Sequence, residues 1–468
     1  MTIGILPDDV LLVIFDFYVE EDPHEKCSKK CIEAWQSLVH VCRRWRSVVF
    51  GSPRRLNLEI VCTRETPVKD ILDIWPALPL LIEDSPDGTN GTEGFDNIMA
   101  ALEHNDRVHE IRLMYIPNSY LEKVLDKLQE PFPELTDLVL WCDETIPVNP
   151  HPLLGGGSAP PHLGGLELYG VSFPGLPKFL LSATHLHTLF LERIPDFGYI
   201  PPNVMVAALS RMTGLEVLCL KFQSPRSGLT SRCPPIHSVL PVLTCFLFKG
   251  ASKYLEDLVA HVDIPRLNKL SITFFEQITF DTPQFIQFVS RTPRLKPLTK
   301  ACVIFEDDTA WVNLSSPTSG NGGLNVQISY KELDWRLYSL DQVCLCTLCL
   351  PPLSMLEDLY IYQAPNWQPD WQGNIENPLW LELLHPFNAA KNLYLAKMFA
   401  PIVPALQEVL PTLQNIFLEG LQPLGPVQEG IGKFVAARQL SGHHLTVSLW
   451  ERDSELPMRF FDVESDWE

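Results

Sequence analysis

A short apolar pattern that recurs along the chain restricts its fold more than any other feature. The pattern is an apolar residue, two variable residues, a second apolar residue, one variable residue and a third apolar residue. Its copies start at Val108, Leu135, Leu163, Leu186, Leu215, Leu243 and Leu267, and again at Leu356, Ala390 and Leu413. The spacing between the starts of successive copies is typical of units that each add one strand and one helix to a stacked array.

This repeat predicts an α/β solenoid, in which an irregular, leucine-rich-repeat-like curved solenoid occupies residues 108–450. Alternate residues of a strand point to the same side, so the apolar positions of each copy should face the interior. Segments with helical spacing, such as 120–129 and 204–212, would close each unit. We therefore expect five leucines to be nearly inaccessible to solvent: Leu166, Leu191, Leu218, Leu220 and Leu270.

The rest of the chain divides into shorter segments. The repeat is lost after residue 295, where two strand-like runs flank a polar stretch, and this predicts a hairpin insertion at about residues 300–336. Residues 1–60 would form a helical domain, 61–107 a connecting segment with a loop, and 451–468 an acidic C-terminal tail.

The charge of the chain argues against several classes of partner. The 468 residues include 36 Lys and Arg against 57 Asp and Glu, which gives a formal net charge of −21. A field of this sign repels phosphate backbones and anionic lipid, so we expect no nucleic acid and no membrane as a partner. No apolar run approaches the roughly 20 residues of a membrane helix.

The compartment follows from the cysteines and the N-terminus. Twelve cysteines are too few for a disulfide framework, and Cys219, Cys245 and Cys302 lie in apolar, strand-like runs that are typical of buried, reduced thiols. Residues 1–9 lack the basic and apolar regions of a signal peptide. The sequence therefore predicts a cytoplasmic or nuclear protein.

Two strongly apolar helices are predicted before the repeat. Pro7, Asp8 and Asp9 are typical of a helix start, and residues 6–19 carry an apolar stripe at helical spacing. A second helix, residues 32–50, is apolar on one side and rich in arginine towards its end. Such a short segment cannot bury this much apolar surface by itself, so the following domain or a partner protein must cover it.

These two helices resemble the F-box. The first reads LPDDVLLVIF over residues 6–15, and the second contains VCRRWR over 41–46. In that family the helices dock on the Skp-type adaptor of a cullin ubiquitin ligase, so the resemblance implies that residues 1–60 are an F-box helical domain. Further along, the chain reads PLWLELLHPF over residues 378–387 and KNLYL over 391–395. With these segments the chain from residue 333 onward is also similar to a large family of F-box proteins of mushroom-forming fungi. By motif position, the resemblance assigns adaptor contact to Leu6, Pro7, Ile14, Phe15, Val41, Cys42 and Trp45.

A target surface is predicted on the outward side of the repeat strands. Residues between and just after the apolar positions point away from the interior, onto the face that a solenoid makes concave. Aromatic residues serve as interface anchors and neighbouring charges give orientation, which favours a protein target with a basic or mixed patch. The candidate target-binding residues are Trp141, Glu167, Tyr169, Phe190, Glu192, Lys221, Lys249, Tyr360, Tyr362, Tyr394 and Glu419.

Motifs for catalysis are weak or absent. Gly430-Ile431-Gly432-Lys433 is the nearest approach to a phosphate loop, but phenylalanine follows where a hydroxyl residue would hold magnesium. Cys344, Cys346 and Cys349 have a spacing that can share a zinc ion, yet a fourth ligand is lacking and their apolar surroundings fit buried thiols. We expect no enzyme activity, no cofactor and no metal, and an enzyme with zinc or a thiol at this cluster is only a third hypothesis.

Two functions from different classes are left. In the first, the chain is a substrate-receptor subunit of a cullin-type ubiquitin ligase, which binds the Skp-type adaptor of the cullin scaffold through its N-terminal helices and a target protein through its solenoid. In the second, it is a ligase-independent protein-interaction scaffold. Co-purification with both the adaptor and the cullin would distinguish them, whereas a repeat pattern does not identify the target protein.

Overall fold

The computed structural model describes the chain in segments and divides it into two compact units, Met1–Leu189 and Phe190–Glu468. The described residues are 6–19, 29–53, 55–56, 58–75, 77–84, 94–116, 118–142, 158–173, 175–224, 237–275, 282–295, 298–305, 309–315, 323–329, 355–363, 384–407, 409–420 and 426–451.

The first unit begins with three helices and continues with alternating strands and helices. Its helices are α1 (Asp8–Val19), α2 (Lys29–Val41), α3 (Arg43–Gly51), α4 (Val68–Ile74), α5 (Phe95–Leu102), α6 (Asn118–Lys127) and α7 (Leu176–Ser182). Its strands are β1 (Ile60–Cys62), β2 (Leu80–Asp84), β3 (Val108–Leu113), β4 (Asp137–Trp141) and β5 (Gly165–Tyr169). The segment 61–107, predicted to be a connection with a loop, therefore contains α4, β2 and α5.

The strands β1 to β5 pair with one another in sequence order, and every pair is parallel. Each strand has an inner and an outer face because successive side chains alternate. In β5, Leu166 and Leu168 are buried, while Glu167 and Tyr169 are only half-buried on the other face. This outer face carries the residues of the first unit that the sequence assigned to target binding.

The second predicted N-terminal helix is in fact two helices. Cys42 has extended backbone angles (φ −161°, ψ 168°) and caps α3, with its Sγ accepting a hydrogen bond from the N–H of Trp45 at 3.5 Å. This extended residue separates α2 from α3. The rings of Trp35 in α2 and Trp75 after α4 are 5.1 Å apart, so the N-terminal helices pack within the same unit as the first strands.

The second unit has more strands than helices. Its strands are β6 (Thr188–Ile194), within which the unit begins, β7 (Val217–Phe222), β8 (Ser238–Val239), β9 (Cys245–Gly250), β10 (Val262–Asp263), β11 (Lys269–Phe275), β12 (Lys300–Phe305), β13 (Thr309–Ser315), β14 (Gly323–Ser329), β15 (Asp358–Gln363), β16 (Asn392–Leu395), β17 (Asn415–Glu419) and β18 (Thr446–Trp450). Its α-helices are α8 (Pro202–Leu209), α9 (Ser252–Val259), α10 (Pro283–Arg291) and α11 (Pro426–Leu440). Proline opens α8, α10 and α11, where its missing N–H costs nothing.

The middle of the second unit contains the predicted insertion, but it is not a simple hairpin. The insertion has three strands, because β13 lies between β12 and β14 and runs antiparallel to both. β14 pairs in parallel with β11, and β12 pairs in parallel with β15. Three strands thus separate β11 from β15 in the sheet.

The predicted α/β solenoid with an N-terminal helical F-box is wrong as a description of this fold. Sixteen described strands form one large mixed sheet, mostly parallel, in the order β1-β2-β3-β4-β5-β6-β7-β9-β11-β14-β13-β12-β15-β16-β17-β18. β13 breaks the parallel run that a strand-and-helix repeat requires, and a separate F-box arrangement is not evident among the described N-terminal helices. The reason is that apolar spacing reports which face of a strand is buried, which is the same in parallel and antiparallel strands.

The inner face of the strands is as apolar as the repeat predicted. All five leucines named from the sequence have at most 1% of their surface exposed, which confirms that prediction. Among the described residues, none of the helices combines the length and the apolar character needed to cross a membrane.

Candidate interaction surfaces

Helix α1 exposes one row of large apolar side chains. Val10, Val13, Ile14 and Phe17 lie at the spacing that places residues on one face of a helix, and Tyr18 continues it. Phe17 is 72% exposed, and the other four are between 42% and 47% exposed. Val41, at the end of α2, is 59% exposed. We call these six residues the N-terminal apolar surface.

The opposite face of α1 is fixed against α3. Phe15 is completely buried, with its ring 4.8 Å from that of Trp45. Arg44 in α3 donates from Nη2 to Oδ1 of Asp8 at 2.7 Å and to the carbonyl of Leu6 at 2.5 Å. These contacts hold α1 in place, so its exposed row is presented by a packed helix.

The residues assigned to the adaptor by motif position fall into three groups. Pro7, Ile14, Val41 and Cys42 are exposed, whereas Leu6 and Trp45 are half-buried. Phe15 is part of the core and is not accessible to a partner. The assignment omitted Val10, Val13, Phe17 and Tyr18, although the helical spacing of the first three was visible in the sequence.

The first unit carries a row of aromatic side chains at the carboxyl ends of its strands. Tyr115 follows β3, Trp141 ends β4 and Tyr169 ends β5. The ring of Trp141 lies 6.3 Å from that of Tyr115, edge to face, and 5.5 Å from that of Tyr169. Tyr115 is 44% exposed. We call these three residues the aromatic row.

Backbone hydrogen bonds between the strand ends set the position of the aromatic row. The N–H of Ile116 donates to the carbonyl of Trp141 at 3.0 Å, and the N–H of Cys142 donates to the carbonyl of Tyr169 at 2.9 Å. Tyr115 makes its turn with a left-handed φ of 54°, which is unfavourable for a residue with a side chain. A strained backbone that exposes a large ring is a feature found at functional sites.

Carboxylates occupy the same outer face of β2 to β5. Glu83, Glu110, Asp137 and Glu167 are half-buried there, with Arg112 as the basic residue among them. Nη2 of Arg112 pairs with Glu110 at 2.8 Å. Four carboxylates against one guanidinium leave this face with an excess of negative charge. A Cβ at Gly165 would collide with Oδ1 of Asp137, so glycine makes room for that carboxylate.

In the second unit, two of the charged candidates, Glu192 and Lys221, pair with each other. Nζ of Lys221 donates to Oε1 of Glu192 at 2.8 Å, and both side chains are 25% exposed. Nζ of Lys249 lies 5.9 Å from the centre of the Phe275 ring. Phe190 is half-buried. These residues form an accessible mixed-charge surface.

The aromatic candidates near the end of the second unit pack together. The ring of Tyr394 stacks on Tyr360 at 4.2 Å and on Phe417 at 4.5 Å, and Trp450 lies 5.8 Å from Tyr394. Tyr360 and Tyr362 are buried, and burial is the main cause that raises the pKa of the Tyr360 hydroxyl. The side chain of Glu419 accepts from the backbone N–H of Lys397 at 3.3 Å. Tyr360 and Tyr362 therefore belong to the core and are poorly accessible to a target protein.

The weak motifs for catalysis receive no support from the described residues. Residues 430–433 lie inside helix α11, so they do not form a phosphate-binding loop. Cys344, Cys346 and Cys349 lie outside the described residues. Within the described part of the chain, no three His, Cys, Asp or Glu residues are grouped so that they could hold a metal ion.

No protein-family model matches the sequence, and no curated protein matches it significantly.

Proposed function

We propose that this chain is a substrate-receptor subunit of a cullin-type ubiquitin ligase, in which the N-terminal apolar surface binds a Skp-type adaptor. The observation that carries the proposal is the exposed row on α1. Exposed apolar groups in a continuous row are costly in water and usually mark a binding site. A helix with anchors at i, i+3, i+4 and i+7 suits insertion into an apolar groove of a partner.

The sequence resemblance supplies the identity of the partner. The row coincides with the segment LPDDVLLVIF, which resembles the adaptor-binding helix of the F-box, and Val41 and Cys42 belong to the second half of that motif. In this proposal the outer face of the sheet holds the target protein, and the adaptor joins the chain to the cullin scaffold. The complex would act in the cytoplasm or the nucleus.

The test is co-purification of the chain with the adaptor and the cullin. Ile14→Ala combined with Phe17→Ala should reduce adaptor recovery about tenfold or more, because both side chains lie in the exposed row and would supply apolar contacts to the adaptor. The matched control is Phe197→Ala combined with Leu449→Ala, which removes two exposed apolar side chains elsewhere and should leave adaptor recovery unchanged. Melting temperatures of both variants should stay close to that of the unmodified chain.

The same experiment separates the ligase subunit from a ligase-independent scaffold. Recovery of adaptor together with cullin supports the ligase function, and recovery of adaptor alone supports the scaffold. Recovery of neither, or full recovery with the double variant of α1, would contradict the assignment of the N-terminal apolar surface.

A further inference from the structure

We infer that the outer face of the first unit binds an extended, arginine-containing segment of a partner protein, with the aromatic row and the neighbouring carboxylates as its site. The inference rests on the proposed function in one respect, because it names the chemistry of the target that the outer face would hold. It commits to a basic protein segment and not to nucleic acid or anionic lipid, which the carboxylates would repel.

The negative charge of this face determines that the ligand should be positively charged. Glu83, Glu110, Asp137 and Glu167 share this face with Arg112, whose Nη2 pairs with Glu110 at 2.8 Å, so these five side chains together carry a net negative charge. Half-buried carboxylates are screened less by salt than fully exposed ones, so they attract a cation more strongly. Gly165 leaves space beside Asp137, where a bulkier residue would displace the carboxylate.

The aromatic row determines the shape of the ligand and favours arginine. The planar guanidinium of arginine stacks flat on aromatic faces and forms paired hydrogen bonds with carboxylates, whereas the ammonium of lysine is a point charge without that planar fork. Three rings on neighbouring strand ends form a line about as long as three residues of extended chain. Glu167 lies two residues before Tyr169 on the same face of β5, so an extended segment can place one basic side chain over a ring and another beside a carboxylate.

The conformation of Tyr115 indicates that its exposed ring has a role beyond packing. Its left-handed φ of 54° is sterically unfavourable, and glycine would occupy this position without strain. Tyr115 stays 44% exposed although the ring of Trp141 lies 6.3 Å away. The turn thus carries a side chain at a position where folding alone would favour glycine.

The test measures direct binding of labelled peptides to the full chain without adaptor. The probe is a fluorescent peptide of about nine residues that alternates arginine with glycine, long enough to cross the row in either direction. It should bind more tightly than its lysine counterpart, and the glutamate counterpart should not bind. Raising the salt concentration from about 0.05 M to about 0.5 M should weaken binding severalfold.

Variants of the row and of the carboxylates then locate the site. Trp141→Ala and Tyr115→Gly should each weaken binding about tenfold, whereas Tyr115→Phe should bind nearly normally. Tyr115→Gly also relieves the backbone strain, so it should not lower the melting temperature. Glu167→Gln should weaken binding severalfold, and the exposed Glu134→Gln, outside the face, should not.

Three outcomes would overturn the inference: no binding of the arginine peptide, equal binding of the glutamate peptide, or binding that survives the loss of both Tyr115 and Trp141. These outcomes are independent of the proposed adaptor contact. The double variant Ile14→Ala and Phe17→Ala should bind the peptide normally, so a failure of one proposal is distinguishable from a failure of the other.

Discussion

Ile14 and Phe15 are neighbours in the sequence, yet Ile14 is exposed and Phe15 is completely buried. Ile14 belongs to the N-terminal apolar surface, while Phe15 packs on Trp45 in the core. Motif position assigned both to the adaptor, because a helix that is apolar on nearly every side does not reveal which side its neighbours cover. The left-handed turn at Tyr115 was likewise not visible in the sequence, since no glycine marks it.

Single buried residues also control how stability depends on pH. Burial raises the pKa of the Cys302 thiol to about 12, above the value of about 8.5 for an unfolded cysteine. Between these values the unfolded chain loses the proton and the folded chain keeps it. The protonated thiol's contribution to the free energy of unfolding is therefore complete below about pH 8.5. Above that pH it decreases by about 1.4 kcal/mol per pH unit as the pH rises towards 12.

Replacing this thiol should reduce the loss of stability in alkali. We expect Cys302→Val to make the free energy of unfolding fall less steeply between about pH 9 and pH 11 than in the unmodified chain, as measured by urea denaturation at several pH values. The control is Val303→Ala, next to it in β12 and equally buried, which should lower stability without changing the slope. Equal slopes for Cys302→Val and the unmodified chain would contradict a buried, protonated thiol.

At the scale of elements, the sequence predicted where the strands lie better than it predicted which strands pair with each other. The spacing of apolar residues located β3 to β7, β9, β11 and β15 to β17, because burial of one face is a local property of a strand. The same spacing occurs at Ala77, Leu80 and Ile82, so β2 could have been found and was not. Strand β13, the middle strand of the insertion, was not predicted because its segment AWVNLS follows a charged run and does not repeat the apolar pattern.

Close contact between β13 and β14 gives a prediction at this scale. A Cβ at Gly323 would collide with the backbone carbonyl of Leu314, so Gly323→Ala should lower the free energy of unfolding by about 1 to 3 kcal/mol. Gly432 in helix α11 has open space around it, and Gly432→Ala should be neutral or stabilise by up to about 1 kcal/mol. Chemical denaturation of the two variants measures both effects. A Gly323→Ala variant as stable as the unmodified chain would mean that β13 and β14 are not paired as described.

For the whole molecule, the sequence indicated repeated strands with an inner apolar face but not one mixed sheet. The direction in which two strands pair depends on how the chain returns between them, which apolar spacing does not record. The large net negative charge, by contrast, is a property of the whole chain that the sequence states directly. The net charge restricts which partners the chain can bind, but it does not determine the fold.

This charge gives a prediction for the intact protein. At about 0.15 M salt, the chain should not shift duplex DNA in a gel or retain it on a filter, because a polyanion of this charge gains nothing from displacing the counterions of DNA. A chain of similar size and positive charge is the control that the assay detects binding. Salt-sensitive retention of DNA by this chain would show that a local basic surface outweighs the net charge.

The reversed strand β13 has a consequence for how this protein can change in length. β12 and β14 run the same way, so the chain enters and leaves the insertion in one direction only because β13 turns it back between them. Losing β13 and β14 together would leave β12 oriented to pair with β11 as it now pairs with β15. Losing β14 alone would place β13 antiparallel beside β11, and losing β13 alone would leave β12 and β14 as parallel neighbours, which a short turn cannot join. At this point the sheet has a parity: with short turns between its strands, it can shorten or grow only by two strands.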